Sequence, residues 1–153
     1  MIFTNDEIWK IPGHIVLVDG SFDPLHDGHI RYFQAAAELG LPVVCNVASD
    51  EYTKTKHPIL LEREKRLVVL DSLKFVDFVY SGVQPTVEVL KRLKPTIYAK
   101  GVDWLARGGV PSSEQIVCEE LGIEIRYLDL PQNSSSQLIQ QLMRNLKDQT
   151  GVD

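Results

Sequence analysis

The chain has 153 residues, 44% of them hydrophobic and 24% charged, proportions of a globular protein rather than a disordered one. Its formal charge of −5 leaves no net basic face for displacing the counterions of a nucleic acid, so nucleic acid is not an expected partner. The length suits a single domain over residues 1–153, and no apolar run approaches the roughly 20 residues that span a bilayer, so no membrane is expected either.

The opening MIFTNDEIWK has neither a basic start nor a continuous apolar stretch, so it does not read as a signal peptide, and the expected compartment is the cytoplasm. Ile15 to Val18 is a short β-branched run of the kind found in strands buried on both faces. Gly28 to Leu39 then changes to a helical pattern, with Ile30, Phe33 and Ala37 along one side and Gly40 as the stop. Pro42 to Ala48 reads as a second buried strand. The polar stretch SDEYTKTKHP, Ser49 to Pro58, reads as a mobile loop that carries Lys54 and Lys56 and has no apolar anchor before Pro58.

Glu62 to Leu73 is helical, Val76 to Tyr80 strand-like, Thr86 to Leu93 helical and Thr96 to Ala99 strand-like. Lys100 to Gly109 reads as a glycine-rich loop, Ser112 to Leu121 as helix, Glu124 to Leu128 as extended, and Ser134 to Leu146 as a last amphipathic helix with a frayed tail. Strands alternating with helices predict an α/β fold of three layers on a mainly parallel sheet of five strands. Cys45 and Cys118, the only cysteines, read as small core residues. His14 and His57 read as surface or loop residues.

In such folds ligands bind beyond the C-terminal ends of the strands. DGSFDPLHDGH, residues 19–29, lies at that end of the first strand. Gly20 and Ser21 let the backbone approach a ligand, and Gly28 leaves room at the start of a helix whose unpaired N–H groups favour phosphate. His26 and His29, three apart, project to about the same side, where imidazoles can donate hydrogen bonds or, if protonated, neutralise growing charge. The dinucleotide GxGxxG and the P-loop pattern are both absent. A zinc site on His26 and His29 lacks further ligands at metal-like spacing, so no metal ligand is assigned. Asp23 is read as hydrogen-bonding within the turn rather than holding Mg²⁺.

GSFDPLHDGH resembles the G-x-F-D-x-x-H-x-G-H signature of the cytidylyltransferase-like nucleotidylyltransferases. The likeness runs from about Ile15 to Leu142 and continues in SDEYTKTK, EREKR, KGVDW and SSSQLI. It implies a Rossmann-like fold with strand order 3-2-1-4-5, and transfer of a nucleoside monophosphate from a triphosphate to a phosphorylated acceptor with release of pyrophosphate. KGVDW is more similar to the K-G-G-D-Y of heptose-1-phosphate adenylyltransferases than to the G-D-D-W of glycerol-3-phosphate cytidylyltransferases. LPQNSSS also lacks the arginine that the latter carry there. Val102 stands where the heptose type has glycine, adding bulk beside the expected nucleotide, and Ser135 and Ser136 replace threonines but keep the hydroxyls.

The resemblance implies His26, His29, Lys54 and Arg66 as catalytic residues, with Arg66 contacting phosphate from its helix or else forming a surface pair with Glu62. It implies nucleotide contacts from Gly20, Ser21, Phe22, Gly28, Lys56, Lys100, Gly101, Asp103, Ser134, Ser135 and Ser136. Gln132, Asn133 and backbone N–H groups would serve in place of the missing arginine. Ser134 also reads as a helix cap from sequence alone. Trp104 covers the base or acceptor, or packs. The implied partners are ATP or CTP with Mg²⁺, a sugar or polyol phosphate, and a second copy in a homodimer; ATP with a heptose 1-phosphate is favoured.

Overall fold

The structure is a computed structural model and describes residues 1–82, 84–130 and 134–151. Gln132 and Asn133 lie outside the described residues. Six strands form one sheet: β1 (Ile2–Phe3), β2 (Val16–Gly20), β3 (Val43–Val47), β4 (Phe78–Tyr80), β5 (Ile97–Gly101) and β6 (Glu124–Leu128). The order across the sheet is β1-β4-β3-β2-β5-β6, and every pairing is parallel. Taking β2 as the first of the five expected strands, this is the expected 3-2-1-4-5 order with one extra edge strand.

That extra strand is β1. Two residues carry no periodicity, so the sequence offers no sign of it. It forms because Met1 and Phe3 carbonyls accept the amides of Val79 and Ser81 at 2.9 Å, and because Phe3 is buried against the Phe78 and Tyr80 rings. A 3₁₀ turn, Asn5–Lys10, follows it.

Strand residues alternate between two buried faces, which is why IVLV shows no polar positions. Val16, Val18, Cys45 and Ala99 face a layer built by α1 (Asp27–Ala37) and α3 (Arg63–Asp71), through Phe33, Ala36, Leu67 and Leu70. Ile15, Leu17, Val44 and Tyr98 face the opposite layer of α4 (Thr86–Leu93) and α6 (Ser112–Leu121), through Val89, Leu90, Val117 and Cys118. Both cysteines are free and buried, as expected. Among the described residues no helix is long and apolar enough to cross a membrane.

The three short or final helices differ from the sequence expectation. Ser49 to Pro58 is not a free loop: α2 spans Asp50–Lys54, with the Ser49 hydroxyl accepting the Tyr52 amide at 3.2 Å. Its anchors are polar, which is why hydropathy missed them. Thr53 and His57 are buried, and the Thr53 hydroxyl lies 3.0 Å from Ser21 Oγ. The segment Lys100 to Gly109 contains α5 (Asp103–Ala106) rather than continuous loop. The last helix, α7, runs Ser135–Thr150, so the polar tail continues the helix to a left-handed stop at Gly151.

Candidate active site

β2 pairs with β3 on one side and β5 on the other, so chain order reverses direction there and a crevice opens beyond the strand ends. The β2–α1 turn enters it. A Cβ at Gly20 would lie 3.0 Å from the Phe22 ring, so the glycine leaves room for that ring as well as lining the cleft. Phe22 itself sits at φ 54° and packs edge-on under His29, with ring centroids 5.1 Å apart.

His26 is the N-cap of α1: its Nδ1 accepts the Gly28 amide at 3.0 Å. His29 Nδ1 accepts the His26 amide at 3.2 Å, completing a reciprocal capping box. An imidazole whose Nδ1 accepts a hydrogen bond carries its proton on Nε2 when neutral. Both rings therefore present Nε2–H, and the rings stack with centroids 3.8 Å apart. His26 Nε2 is buried and has no hydrogen-bond partner among the described residues. Burial lowers the pKa of His26 and, helped by the neighbouring His26 charge, pushes His29 down to about 3. In the ligand-free protein both histidines are thus neutral donors.

The histidines open into a cleft of about 410 Å³. Gly20, Ser21, Phe22 and Gly28 line one side; Lys56, Lys100, Gly101 and Asp103 line another; Ser134, Ser135 and Ser136 close a third. The Ser134 hydroxyl caps α7 by accepting the Gln137 amide at 3.4 Å, and Ser135 Oγ donates to the Pro24 carbonyl at 2.7 Å. That second bond ties the start of α7 to the β2–α1 turn, so two helix N-termini face one space. At Gly101 a Cβ would come 2.5 Å from Asp103 Oδ1, so the glycine leaves room for that carboxylate.

Several expected contacts fall elsewhere. Arg66 is 1% exposed and does not face the cleft. Its guanidinium donates to the carbonyls of Leu61, Ser21 and Ala48 and pairs with Asp50 at 2.6 Å, in place of the surface pair with Glu62. Lys54 is exposed on α2 and lies outside the cleft, whereas Lys56 lines it. Val102 lines neither this cleft nor its neighbour; its amide bonds the Leu128 carbonyl at 2.9 Å. Asp23 does not stay within its own turn but reaches across to accept the Leu60 and Leu61 amides at 2.8 and 3.0 Å.

Sequence reasoning also missed residues that the fold brings in. His57 is buried and lines the cleft, with its Nδ1 2.8 Å from the Pro58 carbonyl. Arg107 reaches the same cleft and holds its guanidinium carbon 4.7 Å from the Trp104 ring centroid. Asp19 at the end of β2 pairs with Lys100 at 2.7 Å, and that lysine also lies 4.7 Å from the Trp104 ring. An acid ending a buried strand was the one local sign available for Asp19. Nothing local marks His57 or Arg107.

The cytidylyltransferase-like family matches residues 17–141. The chain belongs to this family of nucleotidyltransferases. Over 140 residues this nucleotidyltransferase is 34% identical to the bifunctional protein HldE of Helicobacter pylori strain J99, a match covering 88% of this chain and 28% of that protein. It therefore spans less than a third of that relative's length. It is also 32% identical over 119 residues to the FAD synthase of Pyrococcus horikoshii, covering 75% of this chain and 74% of the synthase. Among solved structures, the lipopolysaccharide core biosynthesis protein of Thermoplasma volcanium matches with a TM-score of 0.64 at 26% identity, over 79% of this chain and 98% of the other.

Proposed function

We propose that this chain transfers the adenylyl group of ATP to the phosphate of a heptose 1-phosphate. An acceptor phosphate oxygen attacks the α-phosphorus, the bond from that phosphorus to the bridging oxygen of the β-phosphate breaks, and pyrophosphate leaves. The nucleophile is already anionic, so positioning and stabilisation of charge must supply most of the rate. The observation that carries the reading is the pair of backbone-fixed Nε2–H donors of His26 and His29, one of them buried without a partner among the described residues at the mouth of α1. They would donate to α-phosphate oxygens as these gain charge, a role in which one donor is worth on the order of 100- to 1000-fold in rate. Lys56 and the amides at the start of α7 would hold the departing phosphates. Asp103 and Trp104 would face the nucleoside.

Among the described residues no three metal-ligating side chains converge. Mg²⁺ fits the cleft as a passenger of the triphosphate, since it keeps most of its ligands as phosphate oxygens and water, with Asp103 as an available carboxylate. Bound there, it would neutralise phosphate charge.

Choice of ATP and a heptose rests on KGVDW, the missing arginine before Ser134 and the likeness to the bifunctional protein HldE. A second reading, adenylylation of a flavin phosphate, draws on the likeness to an FAD synthase that this chain covers over most of its length. Both readings use ATP. A matrix of the four nucleoside triphosphates against heptose 1-phosphate, flavin mononucleotide and glycerol 3-phosphate, scored by pyrophosphate release, tests them. Fastest release with ATP and heptose 1-phosphate is the expected result. Preference for CTP with glycerol 3-phosphate would overturn the substrate choice, and no release with any pair would leave a nucleotide-binding module without catalysis.

A further inference from the structure

Three histidines line the cleft, and the third, His57, is of opposite polarity to the other two. It is 7% exposed and follows α2, where its amide donates to the Thr53 carbonyl at 3.2 Å. Thr53 is itself buried and bonded to Ser21 of the β2–α1 turn, so the backbone that carries the ring is fixed to the cleft wall. His57 Nδ1 lies 2.8 Å from the Pro58 carbonyl. A carbonyl only accepts, so Nδ1 holds the proton and the neutral ring keeps its lone pair on Nε2. In His26 and His29 the arrangement is reversed: Nδ1 accepts and Nε2 donates. Among the described residues His57 Nε2 has no hydrogen-bond partner, and unlike His26 Nε2 it is not fully buried.

A lone pair turned toward phosphate oxygens repels them, whereas a protonated Nε2 donates and brings a positive charge. The groups around the cleft decide what meets that charge. Asp19, at the end of β2, is paired with Lys100 of β5 at 2.7 Å, and Asp103 lies 3.6 Å from Arg107. Asp23 is engaged by the Leu60 and Leu61 amides, and Asp50 of α2 by Arg66. Glu51, Lys54 and Glu62 are exposed outside the cleft. From α1 come two neutral imidazoles, and the start of α7 brings only serine hydroxyls and the Gln137 amide. Lys56, the residue before His57, lines both this cleft and an adjoining hollow of about 590 Å³, and among the described residues it forms no ion pair. Each carboxylate lining the cleft already has a cation, so the anion left to meet a charge on His57 is a ligand's.

We propose that His57 binds the triphosphate by taking a proton from solvent onto Nε2 as the nucleotide enters, and that it then donates from Nε2 to a phosphate oxygen beside Lys56. The neutral imidazole becomes an imidazolium, and no bond to phosphorus forms or breaks in this step. The proposal rests on the transfer reading only for the triphosphate as occupant. It goes beyond that reading in giving a residue outside every motif a charge that appears with the ligand. His26 and His29 offer donors before the nucleotide arrives; His57 offers one only in its presence.

Calorimetric titration of the full chain with α,β-methylene-ATP and Mg²⁺ at pH 7.5, in buffers of different ionisation enthalpy, counts the protons exchanged on binding. The parent should take up protons with the analogue and none with adenosine, which has no phosphate. His57→Asn places an amide donor where Nδ1–H meets the Pro58 carbonyl and lacks any group at Nε2. In that variant the uptake should fall to less than about half. Its affinity for the analogue should be about 10-fold weaker than the parent's at pH 6.5 and within about 2-fold at pH 8.5, because the parent's charged hydrogen bond is lost with its proton as pH rises. His57→Gln should lose the same uptake and serves if the asparagine disturbs the fold. No uptake in the parent, equal uptake with adenosine, unchanged uptake in a folded variant, or a loss of affinity equal at both pH values would overturn the proposal. Uptake at His57 without pyrophosphate release from ATP and any acceptor would instead sink the transfer reading and leave His57 as a phosphate-binding residue.

Discussion

Arg66 on α3 and Asp50 on α2 form an ion pair at 2.6 Å, and the arginine is buried while the aspartate side chain keeps about a third of its exposure (35%). Three further guanidinium N–H groups hold the Leu61, Ser21 and Ala48 carbonyls at 3.0, 2.6 and 3.0 Å. One planar fork thus fastens α2, the β2–α1 turn and the segment before α3 to one another, directly beneath the cleft.

Arg66→Ala leaves those carbonyls without their donors, while the partly exposed Asp50 keeps water and the Arg63 amide. It is expected to destabilise the fold by about 2–4 kcal/mol, chiefly the cost of part-buried carbonyls left unpaired. Urea unfolding measures this. A variant of unchanged stability that had lost only nucleotide binding would return Arg66 to the phosphate role implied by the motif.

His26 both caps α1 and offers a donor, and the two roles separate by substitution. Asparagine is a good N-cap, so His26→Asn should unfold within about 1 kcal/mol of the parent while losing the Nε2–H. Turnover in that variant, and in His29→Asn, should drop about 100-fold or more with a smaller change in ATP affinity. Steady-state pyrophosphate release and nucleotide titration together decide it; near-normal turnover in folded protein removes the histidines from the reaction.

Acid should weaken the fold through the same residues. His29 titrates near 3 when folded against an ordinary value of 6.5, and His26 is shifted in the same direction, both chiefly by burial. Between those values the unfolded chain binds more protons than the folded one, so this contribution is complete above about pH 6.5 and is lost progressively as pH falls toward about 3. Each fully excluded proton costs at most about 1.4 kcal/mol per pH unit in that window. Urea midpoints at pH 7, 6 and 5 should fall, and His29→Asn should flatten the slope. Parallel slopes in parent and variant would mean that His29 protonates freely in place.

Lys56 and Lys54, two residues apart, should behave differently. Lys56 lines both hollows, with its ammonium 4.8 Å from the Tyr52 ring centroid, whereas Lys54, exposed at the end of α2, lines neither. Loss of one charged contact to phosphate is worth about 1.5–3 kcal/mol, so Lys56→Ala should lower kcat/KM about 10- to 100-fold. Lys54→Ala should stay within about 2-fold. The reverse order in steady-state kinetics would place the working lysine on α2.

Local chemistry determined much of this protein. The β-branched runs and the 3.6-residue patterns mark five strands and the long helices because burial on a parallel sheet imposes those periods. DGSFDPLHDGH marks the turn because glycine and a capping histidine have backbone consequences within a few residues. What only the tertiary structure decided is how partners distant in sequence share space. β1 exists because Val79 and Ser81 offer amides to an edge, about 80 residues away. Arg66 is an internal clamp because three carbonyls from separate segments converge on it, and no spacing in EREKR announces that. Asp23 reaches Leu60 and Leu61, and Tyr98 stands between Asp19 and Glu114, for the same reason. A polar side chain's role follows from which donors and acceptors meet it once the chain is packed, and that is a property of the fold rather than of its neighbours in sequence.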